Sequence, residues 1–276
     1  MVVVDNCPER TGKPTVDEVA SDGVLRFVYE SEPTPGVSAA RNRGVARARG
    51  ELIAFLDDDE EAEPGWLAEL VAAQQASGAD AVFGAVVGRF DGPRDRVELH
   101  EKEMSRMFPE RAGPVPLWRI ASLGSGNSLF RRRCFEGAQP FDVSLGLSGG
   151  EDTALIHKLR AEGRQLSWCP DARVKEFFTQ ERLTMAYLLK RRFSAGQVRS
   201  SVHAMAGKGK ALVAMWMLIG VVQVSVGGAL AVATLVVKPE ASQRALCVAS
   251  GGLGKLLWMS PFRLRRYQDP KKKQQP

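Results

Sequence analysis

Two groups of carboxylates stand out by where they fall in the chain. The first, Asp57-Asp58-Asp59, follows Glu51 to Leu56 (ELIAFL), a run apolar enough to be a buried strand. Acids delivered together at the C-terminal end of a strand repel one another. A divalent cation that prefers oxygen ligands, Mg²⁺ or Mn²⁺, neutralises such a group and also bridges to phosphate oxygens. The same composition makes a solvated turn, and the three residues alone leave both readings open. The second group, Glu151-Asp152, opens a helical pattern that Gly163 ends. Acids there complement the helix dipole, so plain capping accounts for them locally. Other chemistries lose support. The four cysteines, Cys7, Cys134, Cys169 and Cys247, form no CxxC pair, and only three histidines occur. A disulfide framework, a thiolate or imidazole metal site and a Ser–His–Asp hydrolase are all disfavoured, and a reducing compartment fits.

The elements that position these acids follow from pattern. Val2 to Val4 is a β-branched run closed by Asp5-Asn6, and a second strand fits Leu25 to Tyr29. Ser38 to Arg49 reads as a helix ended by Gly50, and Trp66 to Gln75 as another after the Pro64-Gly65 break. Ala81 to Val87 is a further strand. This alternation predicts an α/β sheet with helices on both faces, and open α/β sheets bind ligands at the C-terminal ends of their strands. From Gly88 to Leu123 no period is clear, beyond a helix near Glu98 to Met107. Ser128 to Arg131 and Leu166 to Cys169 read as short strands, the latter stopped by Pro170-Asp171. A basic helix around Leu183 to Arg192 follows. Trp66 and Phe141 read as core.

The character changes after Lys210. Ala211 to Val237 is uncharged and exceeds the roughly 20 residues that cross a bilayer. Ala245 to Met259 is apolar but too short to span unaided. Net charge is +6, and the segment from Lys255 to the end carries all of it. A basic tail beside an apolar stretch suits anionic lipid, or merely solubility, and the balanced remainder argues against nucleic acid. Met1 to Asp5 lacks a basic start and a long apolar run, so no signal peptide is expected.

LIAFLDDDEEAEPGWL resembles the strand and DxD motif of family-2 glycosyltransferases, which have the GT-A fold. Four other segments agree in order and spacing: VVVDN, PGVSAARNRGVARARG, GSGNSLFRRRCF and FDVSLGLSGGEDTALIHKLRAEG. The resemblance covers roughly residues 1 to 195. The C-terminal part resembles enzymes of succinoglycan-type exopolysaccharide assembly. This implies a GT-A domain over 1–200, an apolar helical membrane-association region over 201–260 and a basic tail over 261–276. It also implies an inverting, metal-dependent transfer from a nucleotide-diphosphate sugar to a saccharide acceptor, polyprenyl-linked, at the cytoplasmic face of the inner membrane.

By the resemblance, Asp5 contacts the nucleotide base, Arg41 holds the nucleotide and Asp57 lies near the donor ribose, with Asp58 between it and the metal ligand Asp59. Asp152 is the general base, Glu151 shapes that site, and Gly126 and Asn127 lie on the acceptor side. Arg191 and Arg192 either contact the diphosphate or form a solvated face, since the family's Gln-x-x-Arg-Trp pattern is absent. His157 receives no role. The family's first strand, with its Pro-Thr-Tyr-Asn-like loop, is missing ahead of Val2, and a shortened gene model is the expectation. A catalytically defective nucleotide-sugar binder is therefore one alternative. A sugar-phosphate nucleotidyltransferase is another, disfavoured because its Gly-rich basic loop is not seen. The basic residues around the long apolar segment predict a bent insertion turning at Gly227-Gly228, with both ends in the cytoplasm.

Overall fold

The computed structural model describes residues 1–264 except 91, 93–96, 110, 138 and 206–209. β1 (Val2–Asp5) and β2 (Val28–Ser31) pair in parallel, Val2 opposite Val28, as a two-stranded sheet of their own. β2 starts three residues later than its apolar run suggested. Between them lies α1 (Lys13–Ser21), which the sequence pattern did not show. None of its residues is buried, and Pro14 sits in the first turn, where its missing N–H costs no helical bond. α2 (Val37–Arg47) follows β2.

The larger sheet contains β3 (Leu52–Phe55), β4 (Glu60–Ala62), β5 (Ala81–Phe90), β6 (Gly113–Pro114), β7 (Ser128–Arg131) and β8 (Leu166–Phe178). Its order is β3-β7-β5-β8-β4, with β6 also on β8; β5 and β8 run parallel and the other pairs antiparallel. The period of two along each strand divides the core. Ala81, Phe83, Phe130 and Trp168 face Leu155, Ile156 and Leu159 of α5 (Glu151–Ala161). Val82, Leu129 and Cys169 face Leu70 of α3 (Trp66–Ser77) on the other side. Helices thus cover both faces, as the strand–helix alternation implied. α4 (Glu98–Met104) packs on β5.

β8 does not stop at Pro170-Asp171. The register jumps from Gly84–Cys169 to Ala85–Arg173, so Pro170 lies in a bulge and need not donate to the ladder. Asn127 pins this irregularity. Its Nδ2 donates to Ala85 O (2.7 Å) and Ala172 O (2.8 Å), and its Oδ1 accepts from Trp66 Nε1 (2.7 Å).

α6 (Met185–Met205) runs through position 200, where the resemblance ended the domain. It packs against an antiparallel hairpin of α7 (Lys210–Thr234) and α8 (Pro239–Leu256). The expected turn at Gly227-Gly228 is corrected here: α7 continues through both glycines, and the chain reverses between Thr234 and Pro239. Gly227 is a packing position. A Cβ there would lie 2.9 Å from Ala245 O, and one at Gly220 would lie 2.8 Å from Gly252 O. Small residues let two helix backbones approach this closely, at a modest cost in helix propensity. The outer face of α7 is apolar and open, with Leu218, Val222, Val226 and Val232 exposed. Among the described residues α7 is the one helix long and apolar enough to cross a membrane. Lys208 and the tail from 265 onward lie outside the described residues.

Candidate active site

The carboxylates at the end of β3 and those at the start of α5 are brought together by α2. That helix is held by its neighbours. Asn6 accepts from Gly36 N–H at the helix start (2.9 Å), and Asn42 exchanges two hydrogen bonds with the backbone of Phe141, donating at 2.8 Å and accepting at 2.9 Å. The arginine between these anchors, Arg41, then bridges the two acid groups. Nη1 pairs with Glu151 Oε1, and Nη2 reaches Asp57 Oδ1 at 3.2 Å. Glu151 is buried, so this pair fixes the start of α5 relative to the end of β3. Gly150 makes the entry to that helix with φ +99°, a conformation that favours glycine.

Asp152, beside Glu151, accepts from Thr153 N–H through Oδ1 (2.6 Å), which leaves Oδ2 turned to Gly124. A Cβ on Gly124 would come within 3.0 Å of that oxygen, and one on Gly126 within 2.5 Å of Asp57 Oδ2. The two glycines are therefore the floor between the acid groups. Arg106 lies across them, donating to Gly126 O at 2.5 Å. Asn127, expected on the acceptor side, is fully buried, and its side chain serves the β5–β8 bulge described above.

A second arc of charge lies along β4 and β8, where Glu60 stands opposite Glu176. Asp59 pairs with Arg182 (3.1 Å), which also approaches Glu176 (3.7 Å). Burial, with the Asp57 charge beside it, pushes the Glu60 carboxyl up to about 8. Burial also raises Glu176; Arg191 opposes that rise and Asp59 adds to it. The Arg191 charge is thus felt at Glu176, whereas Arg192 pairs with Glu103. Asp58 is exposed. Asp5 lies on the small sheet, where both oxygens accept bonds: from Cys7 N–H (2.8 Å), Gly12 N–H (2.9 Å) and the Tyr29 hydroxyl (2.8 Å). Burial works against its charge, and these bonds outweigh it, so its pKa is lowered. Glu60, Arg106, Glu176 and Arg182 were not found by sequence reasoning. Glu60 alone carried a signal, its place directly after the aspartates.

The acids of this turn are the hard oxygen donors that a divalent cation prefers. Asp57, Asp59 and Glu60 carry carboxyl oxygens on one turn, and a carboxyl kept protonated chiefly by burial and then by the Asp57 charge is one whose proton a cation would displace. Among the described residues no group of three or more acidic, histidine or cysteine side chains is placed to hold a metal ion without some rearrangement. The acids would hold an ion from one side and leave positions open to phosphate oxygens.

Residues 1–137 match the model of glycosyl transferase family 2. Over that stretch the chain is similar to family-2 glycosyltransferases. It is 30% identical over 208 residues to the succinoglycan biosynthesis protein ExoM of Rhizobium meliloti, covering 74% of this chain and 65% of ExoM. It is 31% identical over 180 residues to ExoO of the same organism, covering 62% of this chain and 50% of ExoO. The alignments thus span from half to just under two thirds of these relatives. A glucosyl-dolichyl phosphate glucuronosyltransferase of Haloferax volcanii is 25% identical, over 71% of this chain and 64% of that protein. Among solved structures, S. aureus TarS 1–349 in complex with UDP superposes with a TM-score of 0.50 at 18% identity, over 92% of this chain and 80% of that one. The fold is of the GT-A type, as the sequence resemblance implied.

Proposed function

We propose that this chain transfers a sugar, with inversion, from a nucleotide-diphosphate donor to a saccharide acceptor on a polyprenyl carrier during exopolysaccharide synthesis. The observation that carries the reading is the Arg41 bridge, because it makes the Asp57–Asp59 turn and the Glu151-Asp152 pair one site. UDP in TarS supports a nucleoside-diphosphate donor, and the names of the succinoglycan proteins and of the dolichyl-phosphate enzyme support the acceptor class.

In this mechanism Asp152 takes the proton of the acceptor hydroxyl at Oδ2, the oxygen not bound by Thr153 N–H. The hydroxyl oxygen attacks C1 of the donor sugar, the C1–O bond to phosphate breaks, and the electron pair leaves with the nucleoside diphosphate. Attack opposite the leaving group inverts the anomeric centre. Glu151 and Arg41 hold the base helix in register, while Arg191 and Arg182 supply positive charge near the leaving group. A Mg²⁺ or Mn²⁺ ion held by Asp59 with its neighbouring acids would neutralise charge on the departing diphosphate. Asp57 and Asp5 would contact the nucleoside, and the site would face the cytoplasm.

Purified full chain is incubated with a panel of nucleotide sugars, Mn²⁺ and a membrane lipid extract, and nucleoside diphosphate release is followed. Release that Asp152→Asn abolishes supports the proposal. Donor binding without release from any member of the panel would identify a binder and overturn transfer.

A further inference from the structure

A second cluster of charge lies outside the site just described, between α6, α7 and α8. There a cavity of about 130 Å³ is lined by Arg192, Arg199, Gln223 and Lys255, with Glu103 at its edge. A single water needs roughly 15 Å³ by comparison, so the space accepts a polyatomic group. Lys255 is 1% exposed, and its Nζ donates to Gln223 Oε1 (2.7 Å) and Gly251 O (3.2 Å), both neutral. Arg199 reaches Ser122 Oγ (3.4 Å) and lies over the Trp216 ring (5.9 Å), again with neutral partners. Glu103 is the one carboxylate on the wall, and it pairs with Arg192. Three cations therefore face one acid. Among the described residues neither Lys255 nor Arg199 has a carboxylate within ion-pair distance. Cations taken out of water without a counter-charge are costly, and such an arrangement is made favourable by an anion that completes it.

Two features say which anion. The cavity lies between α6 and the apolar α7–α8 hairpin, beside the middle of α7 where Gln223 and Lys255 face each other, so a ligand that reaches it along the hairpin carries an apolar body. Arg192 and Arg199 add planar forks of donors suited to phosphate oxygens. We infer that the α6–α8 cavity binds the phosphate or diphosphate head of a membrane lipid through Lys255, Arg199 and Arg192. The cavity is also one loop from the proposed base. Arg199 touches Ser122, and two residues on, Gly124 abuts Asp152. A lipid held here would present a sugar attached to its phosphate toward that loop. This last step alone rests on the proposed function; the binding site does not.

The test uses full-length protein in neutral detergent and measures binding of dihexanoyl phosphatidic acid, dihexanoyl phosphatidylcholine and inorganic pyrophosphate by calorimetry. Wild type is compared with Lys255→Met and Arg199→Gln. The basic tail is the same in all three proteins, so any difference belongs to the cavity. Phosphatidic acid should bind the wild type and weaken by about tenfold in each variant, with phosphatidylcholine weak throughout. Pyrophosphate binding with the same variant sensitivity would support the site and show that the free head group suffices. Phosphatidic acid binding without pyrophosphate binding would support it and show that the lipid body is needed. Thermal melts check folding, and Gln223→Leu serves as a further cavity variant should one of the others not fold. Equal binding of phosphatidic acid by wild type and folded variants would overturn the site. UDP binding, measured in parallel, should be unchanged in all of them, so failure of the donor reading is seen separately.

Discussion

Replacing Glu60 by glutamine removes a titrating proton from the acid cluster while keeping its shape. The amide retains an oxygen for the bond from Asp57 N–H, 3.1 Å in the native chain. Glu60 has an ordinary value of 4.5, raised to about 8 in the fold chiefly by burial and then by Asp57. Between those two pH values the folded chain holds a proton that the unfolded chain has released. The unfolded state thus binds fewer protons, and stability falls as pH rises, by at most about 1.4 kcal/mol per pH unit. The contribution is complete below pH 4.5 and lost once pH passes about 8. The whole window sets a limit of about 5 kcal/mol. Because Glu60 is only partly buried, solvent reduces this to roughly 2–3 kcal/mol. The Glu60→Gln variant has no proton to lose over this range. Thermal or urea unfolding in EDTA should therefore find the two proteins alike at pH 5. At pH 8.5 the variant should be the more stable, by roughly 4–10 °C in Tm for a chain of this size. Stability curves that stay parallel from pH 5 to 8.5 would refute the claim that Glu60 keeps its proton in the fold.

The other predictions concern separate parts of the molecule. Asp152→Asn should lower kcat by about 10²-fold or more, with donor KM little changed; an equal loss of donor binding would make Asp152 structural. Asp59→Ala should abolish Mn²⁺-dependent turnover while the melt is retained, and normal turnover would remove Asp59 from the metal site. His157 meets His203 edge to face (4.9 Å between rings), and burial, with the His203 charge, pushes it down to about 4. Its folded value lies below the ordinary 6.5, so stability should be level above pH 6.5 and fall as pH drops from there toward 4. His157→Gln should flatten that fall, and an unchanged profile would refute it. A reporter fused after Pro276 should be active on the cytoplasmic side, and periplasmic activity would overturn the hairpin insertion.

The parts of the site that sequence made legible were those whose signal is local. Asp57–Asp59 follow an apolar run that reads as a strand, although only Ile53 of it is buried, and Glu151-Asp152 sit where a helix begins. What joins them was not legible. Arg41 was assigned to the nucleotide from resemblance. Its position between Asp57 and Glu151 depends on Asn42 clasping Phe141, 99 residues away in sequence. β4 was missed because Glu60-Glu61-Ala62 has no strand propensity of its own; it is a strand because β8 continues far enough to pair with it. β8 in turn looked finished at Pro170-Asp171. A proline ends a regular ladder, and only the bulge held by Asn127 lets the strand resume. Each miss is a non-local contact overriding a local preference, and together they hid Glu60, Glu176 and Arg182.

The C-terminal helices make the same point about glycine. Within one apolar segment, Gly227-Gly228 reads equally as a break or as a contact, since glycine supplies both freedom of the backbone and absence of a side chain. The partner helix decides. α8 brings Ala245 O, Gly252 O and the backbone around Gly251 against Gly227, Gly220 and Gly196, at separations no Cβ would permit. Glycine is required there for closeness, and α7 has no reason to bend. At about 1.5 Å per residue its 25 residues reach about 37 Å, enough to cross a hydrocarbon core of roughly 30 Å. The return along α8 brings the chain back to α6. The hairpin thereby keeps both of its ends beside the transferase domain, although the turn lies at its tip rather than at the glycines. It also sets Lys255 against Gln223 on the seam, from where Arg199 and Ser122 lead to the loop of Gly124 and Asp152.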